Sequence, residues 1–233
     1  MDTMGGFMPG DREAPSARRE FIGRLGVIAV AASAPKLATA RRDSESAVGS
    51  PWDMSWVDRV MLAKYRVVFD ANNIADGFAL NLAADFLDTC HEVYGTRDDE
   101  ARAVIVMRQL GTQMAFNDDL WDRYAIGEER KINDPSTHKP ARRNPFWRAA
   151  PGTSGMMAES TVEALVARGA IVLVCNRAAM NIASSMAERT KRDVEEVRKD
   201  VRAGLVPGAL LMPNGIFALI RAQNAGCAFM RGA

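Results

Sequence analysis

Short apolar runs alternate with longer helical stretches along most of this chain, and this alternation limits the folds that it can adopt. The runs are rich in β-branched and aromatic residues, as buried strands are. Strands that alternate with helices predict an α/β protein with a mainly parallel sheet covered by helices on both faces. Five strands are expected: Tyr65–Asp70, Arg102–Leu110, Ala170–Cys175, Ala209–Met212 and Cys227–Met230.

The helical segments are predicted from apolar stripes at intervals of three and four residues. They cover Asp76–Tyr94, Met114–Ile126, Glu159–Arg168, Arg177–Arg189, Asp193–Ala203 and Gly215–Ala225. Residues 127–155 show neither helical nor strand periodicity, so we interpret them as an irregular insertion. Trp52, Trp56 and Val60 form a further helical stripe, which predicts a short arm that docks on its own domain or on a neighbouring subunit.

The first forty residues have the order of an export signal. Arg18-Arg19, a spacer, Phe21 and Ile22 resemble the twin-arginine motif, and a short apolar stretch and Ala38-Thr39-Ala40 follow. We therefore predict a signal peptide over 1–40 with cleavage near Ala40, an N-terminal arm over 41–64, a domain over 65–233 and a periplasmic location. The alternative is an amphipathic N-terminal helix that carries a chance arginine pair.

Composition narrows the classes of partner. The net charge of +1 offers no basic excess for nucleic acid, and no apolar run beyond the signal approaches the roughly 20 residues of a membrane-spanning helix. The chain has three cysteines, two histidines and no CxxC pair. We therefore expect no metal site, no cofactor and no disulfide framework.

Polar residues follow the strands at the places where ligands bind in open α/β sheets, beyond the carboxyl ends. Cys175 closes an apolar strand directly before a helix. A helix N-terminus and the nearby Arg177 both favour a thiolate, which is able to attack sulfane sulfur. The alternative is that Cys175 is a small buried hydrophobic residue.

The segments LVCNRAAM (173–180) and DVRAGLVPGALLMPNGIFALIRAQNAGCAFM (200–230) resemble the DsrE/DsrF-like family, and the likeness extends back to YRVVFD and VIVMRQL. The NDP-x-T and RNPF motifs in residues 133–146 are similar to an exported subgroup of it. The resemblance implies a three-layer α/β/α sandwich, a homo-oligomer that is a trimer or a similar assembly, and a persulfide-carrying cysteine at Cys175. Asn214 departs from the serine that is common in the family, and an exported protein would need a sulfur donor or acceptor protein other than the cytoplasmic partners.

Two functions follow from these observations. In the first, sulfane sulfur binds Cys175 as the catalytic residue in a pocket lined by Arg108, Gln109, Asn176 and Asn214, with the amides of Asn214 and Gly215 stabilising the anionic sulfur. In the second, the chain is a non-enzymatic oligomeric binding or assembly module. Subunit contacts are then expected from residues 127–155 and the Trp52–Trp56 arm. An open Cys175 favours the first function, and a Cys175 sealed in the core favours the second.

Overall fold

The computed structural model describes residues 50–233, in which five strands form one parallel sheet. The order across the sheet is β4-β3-β2-β1-β5, and every neighbouring pair is parallel. The prediction of a mainly parallel five-stranded sheet is confirmed. The strands are β1 (Tyr65–Ala71), β2 (Ala101–Met107), β3 (Ile171–Cys175), β4 (Ala209–Met212) and β5 (Ala228–Arg231).

Helices occupy the connections between the strands of this region. Two 3-10 helices cover Ala75–Gly77 and Gln109–Ala115. The α-helices are α1 (Trp56–Leu62), α2 (Phe78–Tyr94), α3 (Asp118–Arg123), α4 (Ile126–Arg130), α5 (Met156–Glu159), α6 (Val162–Ala167), α7 (Asn176–Thr190), α8 (Val194–Ala203) and α9 (Gly215–Asn224).

Both faces of the sheet are buried, because successive strand residues point to opposite sides and both sides are apolar. Phe69 and Ile105 pack on one side in a cluster that includes residues of α2 and α6. Val104 and Leu173 pack on the other side with residues of α1 and α9. The domain is therefore a three-layer α/β/α sandwich.

A third apolar cluster joins α7 and α8 to α3 and α4. Trp121 and Tyr124 are buried there against Met186 and Val197. The Tyr124 hydroxyl donates a 2.7 Å hydrogen bond to Asp200, so the buried phenol has a partner. The cluster fixes α7, the helix that begins directly after Cys175.

The Trp52–Trp56 arm docks on its own domain. Helix α1 begins at Trp56, which is fully buried with Val60 in the cluster that includes α9, whereas Trp52 precedes the helix and stays partly exposed. Phe146 and Trp147 also pack partly against the core of the same chain. Subunit contacts were expected at these aromatic residues because their own segments offered too little apolar surface to bury them. The structure shows that the core of the same chain supplies that surface.

The irregular insertion is tied down by Asn144, which is 1% exposed. Its amide nitrogen donates to the carbonyl oxygens of Met114 and Phe116 at 2.8 and 2.6 Å, and its Oδ1 accepts from the Phe146 amide at 2.8 Å. Helix α4 occupies the first residues of the predicted insertion, and no regular element of the described chain lies between Arg130 and Met156.

Element boundaries differ from the prediction between β2 and α4. The second strand ends at Met107, because Gln109 adopts a left-handed φ of 49° and begins a 3-10 helix. The single helix predicted over Met114–Ile126 is wrong. Asn117 caps a new helix by accepting from the Leu120 amide, and Ala125, with a φ of 47°, separates α3 from α4.

Two further predictions concern a membrane-spanning helix and the N-terminal signal peptide. Within residues 50–233 no helix is long and apolar enough to cross a bilayer. The predicted signal peptide and its cleavage position fall outside the described residues.

Candidate functional site

The order of the strands brings three of the predicted site residues together. Strand β3 lies between β2 and β4, so Cys175 ends beside Arg108, which follows β2, and Gly215, which begins the helix after β4. A Cβ added to Gly215 would lie 2.8 Å from Cβ of Arg108 and 3.3 Å from Cβ of Cys175. The parallel sheet thus forms the candidate site at its carboxyl edge.

Cys175 is the N-cap residue of α7. Its Sγ accepts a hydrogen bond from the Ala178 amide at 3.4 Å, in the place where a serine or aspartate oxygen usually caps a helix. This amide and the helix dipole both favour negative charge on the sulfur. The sequence-based placement of Cys175 at a helix N-terminus agrees with the structure.

Burial of Cys175 points in two directions. The residue is only 6% exposed, as the assembly hypothesis expects of a core thiol. Cys90 and Cys227, however, belong to the apolar clusters on the two faces of the sheet, whereas Cys175 belongs to neither. Burial raises the pKa of the Cys90 thiol and raises that of Cys227 to about 11. Cys175 is therefore a buried thiol outside the apolar clusters of the two sheet faces, next to Arg108, Gly215 and the Ala178 amide.

Arg108 supplies the positive charge of the site. Its Nε and Nη2 each lie 2.6 Å from a carboxylate oxygen of Asp70, a bidentate pair at the ends of β1 and β2. The hydrogen bonds that Arg108 donates to Asp70 are the main cause that raises the pKa of Arg108, and the neighbouring Cys175 contributes in the same direction. Arg177, which the sequence suggests as the source of charge, is exposed and makes no ion pair within residues 50–233.

Asn214 and Gly215 form the start of α9. Asn214 Oδ1 accepts from the Ile216 amide at 2.9 Å, so this side chain is occupied as a helix cap. Gly215 is the first helical residue, a position at which the backbone N–H has no intrahelical partner. The absence of a side chain at Gly215 allows α9 to approach Arg108 and Cys175 closely.

The two remaining predicted residues lie differently. Asn176 is the first residue of α7, and its Oδ1 is buried without a hydrogen-bond partner in the described part of the chain. Gln109 is exposed and lines a separate pocket between the 3-10 helix that it begins (Gln109–Ala115), α4 and α7. The structure thus joins Cys175, Arg108 and Gly215, places Asn176 and Asn214 at the adjoining helix starts, and sets Gln109 apart.

Sequence reasoning missed the role of Asp70. Its position at the end of β1 is visible in the sequence, but its partner depends on strand register, which places Asp70 opposite Val106, two residues before Arg108. Asp70 is 6% exposed, a burial that a carboxylate tolerates only with a charged or hydrogen-bonding partner. The sequence signal for such a partner was a carboxylate at the end of an otherwise apolar strand.

Comparison with known proteins leaves the family open. No protein-family model and no curated protein matches the chain. Among solved structures, a protein of unknown function from Methanobacterium thermoautotrophicum is similar at 15% identity, over 72% of this chain and 98% of that one, with a TM-score of 0.36. Membership of the DsrE/DsrF-like family therefore stays a prediction.

Residues 50–233 contain no group of three or more histidine, cysteine or acidic side chains that are arranged to hold a metal ion. The chemistry that the site offers is that of one thiol, one guanidinium and helix N-termini.

Proposed function

We propose that this chain handles sulfane sulfur and carries it as a persulfide on Cys175. The observation that carries the proposal is the placement of Sγ at the N-terminus of α7, beside an arginine that is fixed by Asp70. Both features stabilise an anionic sulfur without a metal or a second cysteine. The resemblance to the DsrE/DsrF-like family, with Cys175 as its persulfide cysteine, supports the same function.

The reaction is an exchange at sulfur and needs no external oxidant. The Cys175 thiolate attacks the terminal sulfur of a donor persulfide, a new S–S bond forms, and the donor's own S–S bond breaks. The donor leaves as a thiolate, and the proton of the donor persulfide stays on the transferred sulfur or passes to solvent.

Each neighbouring residue has a defined part. Arg108 balances the charge of the thiolate and of the persulfide anion that replaces it. Asp70 is a positioning residue, because it holds the guanidinium by two hydrogen bonds. Gly215 admits the start of α9, whose unpaired N–H groups complete the surroundings of an anionic sulfur.

Mass spectrometry of the full chain after brief incubation with polysulfide tests the proposal. We expect a gain of one sulfur atom on Cys175, no gain on Cys90 or Cys227, and loss of the product in Cys175→Ser. Cys227→Ser is the matched control and retains the product. Equal modification of all three cysteines, or none at Cys175, would contradict the function.

We further propose that the chain acts in the periplasm after twin-arginine export and exchanges sulfur there with a donor or acceptor protein. The order of Arg18-Arg19, the apolar stretch and Ala38-Thr39-Ala40 supports export. Changing Arg18-Arg19 to a lysine pair should retain the protein in the cytoplasm on cell fractionation, and undiminished export of that variant would refute the signal.

An assembly function is the second candidate, and one surface favours it. Ile216, Phe217 and Ile220 of α9, which we call the α9 surface, are between 40% and 57% exposed. Large apolar side chains grouped in this way mark contact surfaces. The occupant that we propose is a second copy of this chain, as the resemblance implies, and assembly is compatible with sulfur transfer.

A further inference from the structure

A second feature of the described chain lies beside Cys175 and has no part in the arrangement above. It is a pocket of about 240 Å³ between the second 3-10 helix (Gln109–Ala115), α4 and α7. We call it the α7 pocket. Its polar lining is Gln109, Glu129, Arg130, Asn181 and Ser185. Leu110, Ala178, Ile182 and Met186 make up its apolar lining.

The two charged residues that line the α7 pocket, Glu129 and Arg130, form an ion pair, and Arg189 pairs with the same carboxylate from outside the lining. The Glu129 carboxylate lies 3.0 Å from Nη2 of Arg130 and 2.5 Å from Nη1 of Arg189, so one negative charge is shared by two guanidinium groups. Arg130 is also fixed at Nε by a 2.8 Å hydrogen bond to Oε1 of Gln113, a residue with no exposed surface. Arg130 is thus partly buried, oriented, and paired with an acid that it shares with Arg189, and a guanidinium held in this way is suited to bind a carboxylate ligand.

The rest of the lining adds hydrogen-bonding capacity and apolar surface. The side chains of Gln109, Asn181 and Ser185 make no side-chain hydrogen bond within residues 50–233, so their donors and acceptors are available to a ligand. Ile182 and Met186 are buried and form apolar surface on α7. Together these groups suit a short carbon chain that carries a carboxylate and a second polar group.

The α7 pocket adjoins Cys175 through Ala178. The backbone amide of Ala178 donates to Cys175 Sγ, and the same residue lines the pocket. Gln109, on the opposite wall, follows Arg108 directly. A ligand anchored at Arg130 thus occupies a space that is also lined by Ala178, whose amide contacts Cys175 Sγ, and by Gln109, the residue after Arg108.

We propose that the α7 pocket binds a small organic persulfide that carries a carboxylate, and that this molecule is a sulfur donor to Cys175. The inference rests on the proposed function and names its substrate class. Arg130 binds the carboxylate, and the persulfide end lies towards Ala178. The Cys175 thiolate takes the terminal sulfur, the donor's S–S bond breaks, and the corresponding thiol carboxylate leaves.

The size of the pocket limits the donor. At ~30 Å³ for each water molecule in the liquid, 240 Å³ corresponds to about eight waters, so a ligand with roughly that number of non-hydrogen atoms fits within the pocket. The persulfide of 3-mercaptopropionate has about this size.

Direct binding tests the pocket without any sulfur transfer. We use 3-(methylthio)propionate, an unreactive thioether carboxylate, in isothermal titration against Cys175→Ser. Arg130→Gln should weaken binding about tenfold, the loss of one charge-assisted hydrogen bond, and Arg130→Lys should recover part of it. Arg148→Gln is the matched control, because this arginine pairs with Asp118 outside the pocket, and its binding should be unchanged.

Transfer kinetics then test the role of the donor. For Cys175 persulfidation, the ratio of rates with the persulfide of 3-mercaptopropionate and with inorganic polysulfide should fall about tenfold in Arg130→Gln, through KM and not kcat. Asn181→Leu, on the α7 wall, should lower the same ratio and keeps the test valid if Arg130→Gln does not fold.

The outcomes separate the two proposals. Absence of binding to Cys175→Ser, or equal binding by Cys175→Ser with and without Arg130→Gln, overturns the pocket assignment, as does an unchanged ratio of rates. If Cys175 takes sulfur from neither donor, the proposed function fails, and the assignment of the α7 pocket to a sulfur donor fails with it even where the thioether binds. If polysulfide alone reacts, the proposed function stands and the pocket assignment is wrong.

Discussion

Arg108 and Asp70 set the electrostatics of the sulfur site as a pair. The Asp70 side chain is 9% exposed and that of Arg108 is 20% exposed, so solvent screens their interaction less than that of a surface ion pair. The carboxylate fixes the guanidinium, but it also offsets part of the positive charge that the sulfur experiences. Removing the charge of Arg108 should therefore lower the reactivity of Cys175, and removing the charge of Asp70 should raise it.

We predict that Arg108→Gln slows alkylation of Cys175 by iodoacetamide near neutral pH, because the thiolate then lacks its cation. Asp70→Asn should accelerate alkylation several-fold if Arg108 keeps its place, because the offsetting negative charge is removed.

Arg108→Gln should also lower the free energy of unfolding by roughly 2–4 kcal/mol, since it leaves a buried carboxylate unpaired. Mass spectrometry assigns the labelled cysteine, and urea denaturation gives the stability.

Arg177→Gln provides the comparison for this experiment. The residue is closer to Cys175 in sequence, but it is exposed on α7. Its replacement should change the labelling rate little. If Arg177→Gln and Arg108→Gln slow the reaction equally, the assignment of the charge to Arg108 is wrong.

At the scale of elements, the start of α9 is placed by Gly215. A Cβ at this position would lie 2.8 Å from Cβ of Arg108, closer than carbon atoms in contact allow. We predict that Gly215→Ala lowers the free energy of unfolding by about 1–3 kcal/mol through overpacking, and that it slows labelling of Cys175 because Arg108 is displaced. Urea denaturation and iodoacetamide labelling measure the two effects.

Asn214→Ala is the matched variant at the same helix start. It removes the 2.9 Å cap to the Ile216 amide and should cost about 1 kcal/mol, with little change in labelling. Gly215→Ala is the more favourable change for helix propensity. Stabilisation by Gly215→Ala would therefore show that α9 moves away from the sheet at no cost.

The insertion carries a pH-dependent contact that joins its two sequence motifs. Asp134 accepts from the Ser136 hydroxyl and from the amides of Ser136 and Thr137, and it pairs with Arg143 at 3.0 Å. The hydrogen bond from Ser136 is the largest of the effects that lower the pKa of Asp134 to about 2. Since the folded pKa lies below that of the unfolded chain, near 3.9, the interaction stabilises the fold above this value and is lost as pH falls towards 2.

We predict that Asp134→Asn lowers the free energy of unfolding by about 1–2 kcal/mol at neutral pH. This figure allows for solvent screening of the ion pair, because the Arg143 side chain is 32% exposed. The difference from wild type should disappear as pH falls from about 4 to 2, because the wild-type carboxyl is then protonated as well. Urea denaturation of both proteins across this range measures it. A difference that is constant with pH would show that the carboxylate charge has no part.

The strands were predictable from sequence, and the turns between β2 and α4 were not. A strand buried on both faces is mainly apolar, so β3 is visible as a continuous apolar run and β1 as a run that only Arg66 and Asp70 interrupt. Gln109 and Ala125 adopt left-handed φ angles that glycine or asparagine usually signals, so their identity gave no indication of a break. Tertiary packing, and not local preference, sets these two positions.

At the scale of the whole molecule, parallel topology explains how much of the site was predictable. Every strand of such a sheet ends at the same edge, so Cys175, Arg108 and Gly215 could be grouped without knowledge of the strand order. The pairing of Arg108 with Asp70 and the α7 pocket depend on register and helix placement, which residue periodicity does not specify. The sequence therefore groups Gln109 with the sulfur site, because it follows the end of β2, whereas in the structure it lines the α7 pocket.

The expected homo-oligomer is a property of the whole molecule, and the α9 surface is where we expect it to form. Ile216 and Ile220 lie one turn apart and are 57% and 52% exposed. We predict that the full chain sediments as a species larger than its 25.4 kDa monomer at micromolar concentration, and that Ile216→Lys with Ile220→Lys shifts it towards monomer. A lysine buried in a contact between copies lacks solvation, whereas on a free surface it is tolerated.

Val93→Lys is the control for general effects of added charge. Val93 is 61% exposed and lies on α2, which packs on the opposite face of the sheet from α9. Assembly through the α9 surface leaves this control oligomeric, whereas loss of assembly in both proteins would place the contact elsewhere or indicate simple charge repulsion. A wild-type monomer at these concentrations would remove the assembly proposal altogether. The sulfur site would be unaffected by that result, because Cys175, Arg108, Asp70 and Gly215 all come from one chain.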